Sequence, residues 1–160
     1  MAARDAIQAR IQQLDNAAPS VGSWQRGGSS LFYLETAPEA TVASLMVRDA
    51  DGQSRTLLDP KTLEQGTSHA AIDSYAPSWD GRLVIAGVSL GGSKNSTIHI
   101  IETATGRMLP DAITRTQYAG PSWRDDSKSF YDSRQQQPLP GAPPAVRARA
   151  HLCAYWCNNS

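Results

Sequence analysis

The chain predicts an all-β protein built from repeated sheet units, a partial β-propeller preceded by a short N-terminal helix. One stretch shows the unit whole: Tyr75–Trp79 opens it, Asp80-Gly81 turns it, and an apolar run follows from Leu83 to Val88. A Gly/Ser loop, 89–96, then leads into the β-branched run Thr97–Ile101 and a turn at Thr103–Gly106. Short strand-like runs divided by turn residues, with no helical period between them, mark a meander rather than βαβ units. The unit also recurs. Ser-Trp pairs stand at 23–24, 78–79 and 122–123, and the turn Asp49–Gly52 returns at Thr103–Gly106. Trp24 and Trp79 are 55 residues apart and Gly52 and Gly106 are 54 apart, so two landmarks keep one period. Trp123 follows Trp79 by only 44 residues, and the shortfall falls almost wholly between Gly106 and Trp123, which makes 59–73 a loop insertion. Four short strands at about this spacing are the period of a propeller blade. About two and a half such blades fit before the pattern stops.

The elements follow in order. Residues 1–20 form a helical segment, with Ile7, Ile11 and Leu14 on one stripe over 3–15 and Asn16 and Pro19 as the stop. So short a helix needs a surface for its stripe, either on its own domain or on another. The propeller part is expected over 21–134. Its first blade, 21–59, alternates at Leu31–Leu34 and Val42–Arg48 and closes with Arg55–Asp59. The second runs over 75–110; the third, 118–134, has two strands, Tyr118–Trp123 and Ser129–Ser133. Each Trp of a Ser-Trp pair reads most simply as a core residue between blades, with a ligand platform as the alternative. Residues 135–160 read as an irregular tail, because prolines 138, 140, 143 and 144 cannot continue a blade and the rest shows no alternation.

Composition narrows the function. At 160 residues and 40% hydrophobic content the chain is long enough for one core. Fifteen basic residues against fifteen acidic ones remove the electrostatic footprint of a nucleic-acid binder or an acidic-membrane binder. No apolar run reaches membrane length, and Met1–Asp5 leads into an amphipathic pattern rather than a signal core. The expectation is a soluble chain, cytoplasmic if the start as written is genuine, with no nucleic-acid or membrane partner.

One motif points to catalysis. Gly87-Val88-Ser89-Leu90-Gly91 matches G-x-S-x-G, the nucleophile elbow, in which Ser sits on a turn from strand into helix. Here the sequence continues into 92–96, rich in Gly and Ser, and then into a strand, so no helix can supply the oxyanion dipole. Ser89 is therefore read as a strand end entering a flexible loop, and no catalytic residue is assigned. His69, His99 and His151 lack clustered partners for base or ligand roles. His151, Cys153 and Cys157 could hold zinc only as three ligands in an irregular tail. Neither a metal nor another cofactor is assigned.

With these segments in view, residues 5–134 resemble the N-terminal part of the prolyl oligopeptidase family of serine peptidases. The resemblance rests on Arg55–Pro60, Tyr75–Gly81, Val88–Ser93, Thr105–Asp111, Tyr118–Trp123 and Lys128–Tyr131, in that order. It implies a seven-bladed propeller set over an α/β-hydrolase domain, and cleavage of short peptides after proline. It places Tyr118 where the family carries an aromatic that lines the substrate pocket; an ordinary strand aromatic is the other reading. It also implies that the helix packs on the hydrolase domain, and that the family's Ser, Asp and His lie in that domain, to which no position of this chain corresponds. The later blades have no counterpart either, as in a truncated or frame-shifted product. Short proline-containing peptides are thus partners only in a full-length enzyme. A noncatalytic propeller-type binding module is the rival reading, and a hydrolase using Ser89 a third.

Overall fold

The structure, a computed structural model, describes residues 2–15, 18–64, 66–117, 120–135 and 150–156. It opens with helix α1, Ala2–Asp15, where Asp5 in the first turn complements the helix dipole. Ile7 and Ile11 are both exposed, so these two members of the apolar stripe are not buried on the sheets of this chain. The side chain of Leu14 falls outside the description.

Four antiparallel strands make the first sheet: β1 (Ser20–Gly27), β2 (Ser30–Thr36), β3 (Ser44–Arg48) and β4 (Ser54–Leu58), in that order across the sheet. After a 3₁₀ turn at Pro60–Leu63, capped by the Asp59 carboxylate on the Lys61 amide, a second sheet begins. Its strands are β5 (Ala70–Pro77), β6 (Leu83–Leu90), β7 (Asn95–Glu102) and β8 (Met108–Gln117). The third unit contributes β9 (Ser122–Trp123), β10 (Ser129–Gln135) and β11 (Ala150–Trp156). β8 pairs with β7 along its length and also meets β10 at Thr116↔Arg134, so units two and three share one sheet. Connection length accounts for the difference. Eleven residues, 59–69, separate β4 from β5, whereas four, 118–121, separate β8 from β9.

The core lies between units, and β6 explains why. Seven of its eight residues are buried, which requires cover on both faces. Val84, Ala86 and Val88, with Ile101 from β7, pack against Phe32, Leu45, Val47, Leu57 and Leu58 of the first sheet. On the opposite face Leu83 and Ile85, with Ile98 and Ile100, pack against Ile113, Trp123 and Phe130. Each fully buried Val, Leu, Ile or Phe stabilises by about 1.5–3 kcal/mol, so these two layers dominate the energetics.

Polar pins fix the same joints. The Tyr75 hydroxyl donates to the Ser23 and Phe32 carbonyls, the Gln25 amide donates to the Tyr75 carbonyl, and the Trp123 indole donates to the Ala76 carbonyl at 2.9 Å. Burial pushes the Tyr75 hydroxyl up to about 12. At the hairpin end the first two sheets meet backbone to backbone. Gly28 N–H donates to the Trp79 carbonyl, and a Cβ on Gly81 (φ +74°) would stand 2.3 Å from the Gly27 carbonyl oxygen.

Several sequence-based expectations need correction. Trp123 is a core residue, but Trp24 and Trp79 are 51% and 65% exposed. The reason is register. Trp123 occupies the last ladder position before its hairpin, opposite Phe130; Trp79 sits in the turn itself; and Trp24 lies inside β1 at a bulge between Gly22 and Gln25. The Ser-Trp pairs are therefore not structurally equivalent. The turn landmark keeps its place: Gly52 N–H bonds to the Asp49 carbonyl three residues back and Gly106 N–H to the Glu102 carbonyl four back, each in the hairpin between the third and fourth strands of its unit.

The second unit continues past residue 110 through β8. Pro110 is accommodated because Ile101↔Met108 and His99↔Ala112 enclose a bulge, where no ladder N–H is needed. The insertion expected over 59–73 contains the 3₁₀ turn and the first half of β5. The tail expected to be irregular contributes β11, paired with β10 from Ser129↔Trp156 to Gln135↔Ala150. The open edge of β10 supplies the template for that pairing.

Candidate functional site

Antiparallel order puts loops of different kinds at opposite ends of the stack. One end carries the hairpins between first and second strands (Gly27–Ser30, Pro77–Leu83, Trp123–Ser129) and between third and fourth strands (Arg48–Ser54, Glu102–Met108). The other end carries the loop after β6, the 3₁₀ turn and the connections between units.

Ser89, the candidate elbow serine, belongs to β6 near this second end and pairs with Ala71 on one side and Ser96 on the other. It is 4% exposed, and its hydroxyl donates to Asp73 Oδ1 at 2.9 Å, while the Ser96 hydroxyl donates to Oδ2 at 2.6 Å. Asp73 reaches both because it sits in a β5 bulge between Ile72 and Ser74, which re-aims its side chain over the neighbouring strands. Thr116 extends the row by donating to the Ser96 carbonyl at 2.7 Å. The flexible loop expected over 89–96 is thus only the exposed turn at 91–94. β6 runs through a hairpin into β7, so the strand-to-helix turn of an elbow is not formed. A serine this buried, its hydroxyl shared with Ser96 on one structural carboxylate and with no histidine hydrogen-bonded to it among the described residues, lacks the exposure and the imidazole base of an elbow nucleophile.

The histidines are dispersed. His69 is exposed and faces Glu64 at 3.2 Å. His99 is half-buried beside a small cavity of about 120 Å³ lined by Leu63, Val88, Leu90 and Thr97, and burial lowers its pKa. His151 and Cys153 fall on β11, and Cys157 lies outside the described residues. Tyr118 also lies outside them; Gln117 immediately before it pairs with Asn95.

Sequence reasoning missed two features. Asp132, on β10, is 2% exposed, and among the described residues neither carboxylate oxygen has a hydrogen-bond partner at ordinary geometry. Burial raises its pKa, and the Ser133 amide offsets only part of this. The second is a cleft of about 620 Å³ between the first two sheets at the hairpin end, bordered by Asp49, Arg55, Arg82 and Glu102. Its charged residues come from different units, so no sequence motif could mark it.

A four-stranded antiparallel sheet packed face to face on a second sheet that runs on into a third unit, with the first strands of successive units pinned by aromatic donors, defines part of a β-propeller. The family described as prolyl oligopeptidase, N-terminal β-propeller domain, matches residues 1–142. The chain belongs to this family, as an N-terminal propeller portion. It is similar to the prolyl endopeptidase of Elizabethkingia meningoseptica, with 28% identity over 131 residues, 81% of this chain and 18% of the relative. It is also similar to dipeptidyl aminopeptidase BI of Pseudoxanthomonas mexicana, with 27% identity over 92% of this chain and 22% of that one. A solved prolyl endopeptidase superposes with a TM-score of 0.82 at 27% identity, covering 96% of this chain and 23% of its own. Oligopeptidase B from Leishmania major, at 14% identity and a TM-score of 0.67, shares the fold. The chain spans about a fifth of the length of the curated relatives it matches.

Proposed function

We propose that this chain is the access-controlling propeller portion of a prolyl oligopeptidase-type serine endopeptidase and takes no part itself in bond breaking. Catalysis in this reading belongs to a partnering hydrolase domain, which supplies the Ser nucleophile, its His base and the oxyanion donors, groups that must be assembled together. The propeller portion screens substrates by size and lines part of the pocket, with Tyr118 as the lining aromatic. Its ligands are short proline-containing peptides, met only together with the hydrolase domain. The balanced charge favours peptides over nucleic acid or an anionic membrane surface as partners.

The sheet stack carries this reading. Both faces of β6 are filled by neighbouring units, which makes the stack a wall rather than a pocket for chemistry. The engaged Ser89 hydroxyl removes the motif that argued for activity within the chain.

The test joins residues 1–135 to the remainder of the Elizabethkingia meningoseptica prolyl endopeptidase. The expected result is cleavage of a proline-containing chromogenic peptide and no cleavage of a folded protein with an exposed proline. Tyr118→Ala in this chimera should lower kcat/KM about 5- to 150-fold, the effect of losing one apolar pocket contact. Cleavage of the folded protein at the rate of the short peptide would overturn the access role. Unchanged kinetics with Tyr118→Ala would reduce that residue to a strand aromatic.

A further inference from the structure

We propose that the cleft between the first two sheets, at the hairpin end, binds a short peptide whose amino and carboxyl termini are both free. The cavity measures about 620 Å³, within the roughly 300–1,000 Å³ of small-ligand sites. Asp49 and Arg55 border it from the first sheet, and Arg82, Leu83, Glu102 and Thr103 from the second.

Its charges are loosely paired. Arg55 Nε stands 3.8 Å from Asp49, Arg82 Nε 3.8 Å from Asp80, and Arg107 Nε 3.7 Å from Glu102. These separations exceed hydrogen-bond length, so beyond the Arg55 donation to the Thr103 carbonyl and the Thr105 hydroxyl on Glu102 Oε2, donors and acceptors remain for a ligand. The Arg82 guanidinium is largely exposed and makes no hydrogen bond among the described residues. A guanidinium fork with free donors takes a carboxylate in two parallel bonds. Asp49 and Glu102 offer the matching acceptors for an ammonium group. With two charges of each sign on the border, a simple anion or cation meets as much repulsion as attraction, whereas a zwitterion satisfies both.

The frame is rigid. Arg55 donates to the Thr103 carbonyl and the Thr103 amide to the Arg82 carbonyl, and the Gly28–Trp79 bond closes the two hairpins together. Thr103 is 6% exposed, and its hydroxyl lacks a hydrogen-bond partner among the described residues, a further unspent polar group on the same wall. A preformed frame avoids the ordering cost of binding. Exposed charge pairs contribute little each, so the expected Kd for a tripeptide is about 1 mM.

The test is an amide-resolved NMR titration of the 160-residue chain with triglycine, N-acetyl-triglycine amide and sodium acetate. Triglycine should give saturable shifts at residues 49, 55, 82 and 102–104, with the blocked peptide and acetate at least about tenfold weaker. Arg82→Gln and Glu102→Gln should each weaken triglycine about tenfold while leaving the spectrum elsewhere intact. Arg82→Lys, which keeps the charge but loses the fork, should be intermediate and serves if Arg82→Gln fails to fold. Equal binding of the blocked peptide, equal binding of acetate, no saturation by about 20 mM, or indifference to the substitutions would each overturn the proposal.

Discussion

Ser89→Ala tests the row formed by Asp73, Ser89 and Ser96. The substitution removes a donor to a carboxylate at 2.9 Å from a residue that is almost fully buried. Hydrogen bonds to charged groups contribute about 1.5–3 kcal/mol, but Asp73 is itself exposed, and solvent can repair part of the loss. The expected cost is therefore about 1–2 kcal/mol, above the roughly 0.5 kcal/mol of a solvated loop position. Asp73→Ala should cost more, about 2–4 kcal/mol, because it strands two buried hydroxyls at once. Once Asp73 is gone, Ser89→Ala should cost almost nothing further, since the bond it removes no longer exists. Urea unfolding followed by tryptophan fluorescence gives all three values. If Ser89→Ala stays within 0.5 kcal/mol of wild type, or if its cost is unchanged in the Asp73→Ala background, the bulge-held clamp is not what orders this end of the sheet.

Three further outcomes are expected. Trp123→Ala should destabilise by about 3–5 kcal/mol and Trp79→Ala by less than about 1 kcal/mol, measured by the same unfolding curves; equal costs would contradict the register described. Gly81→Ala should cost more than the ~1–2 kcal/mol of left-handed backbone alone, whereas Gly92→Ala (φ +69°), with open space around it, should cost no more than that; equal losses would deny the close approach of the two hairpins. Asp132 has a raised folded pKa, so the folded state holds its proton more tightly than the unfolded state does. Stability from this group is fully present below the ordinary carboxylate pKa and is lost as pH rises through the raised one. Asp132→Asn should flatten that fall and stabilise the chain at pH 7, and a steeper dependence in the variant would refute the assignment.

Local chemistry made part of this fold legible in the sequence. β6 and β7 are apolar and β-branched runs bounded by turn residues, and the Gly52 and Gly106 hairpins keep their spacing because a tight turn constrains its own few residues. The Ser-Trp pairs were a weaker landmark, since nothing ties a Trp to one position of a hairpin: a shift of two residues separates the buried Trp123, which aligns with Pro77, from the exposed Trp79. β8 was hidden by Pro110, whose ladder bond is made unnecessary by a bulge set across the sheet, and β11 acquires strand geometry from β10 rather than from its own alternation. Asp73 carries no signal at all in one dimension. Its contact with Ser89 and Ser96 depends on a bulge that brings together three strands. The cleft charges are likewise assembled from two sheets, and the role of Tyr118 rests on family resemblance.

A single assay addresses the central claim, that these residues belong to a prolyl oligopeptidase-type enzyme without forming its catalytic machinery. The purified 160-residue chain, its Ser89→Ala variant and the chimera with the Elizabethkingia meningoseptica remainder are compared on one proline-containing chromogenic peptide. The account predicts no turnover by the chain or its variant and clear turnover by the chimera. Turnover by the chain alone that disappears with Ser89→Ala would contradict it.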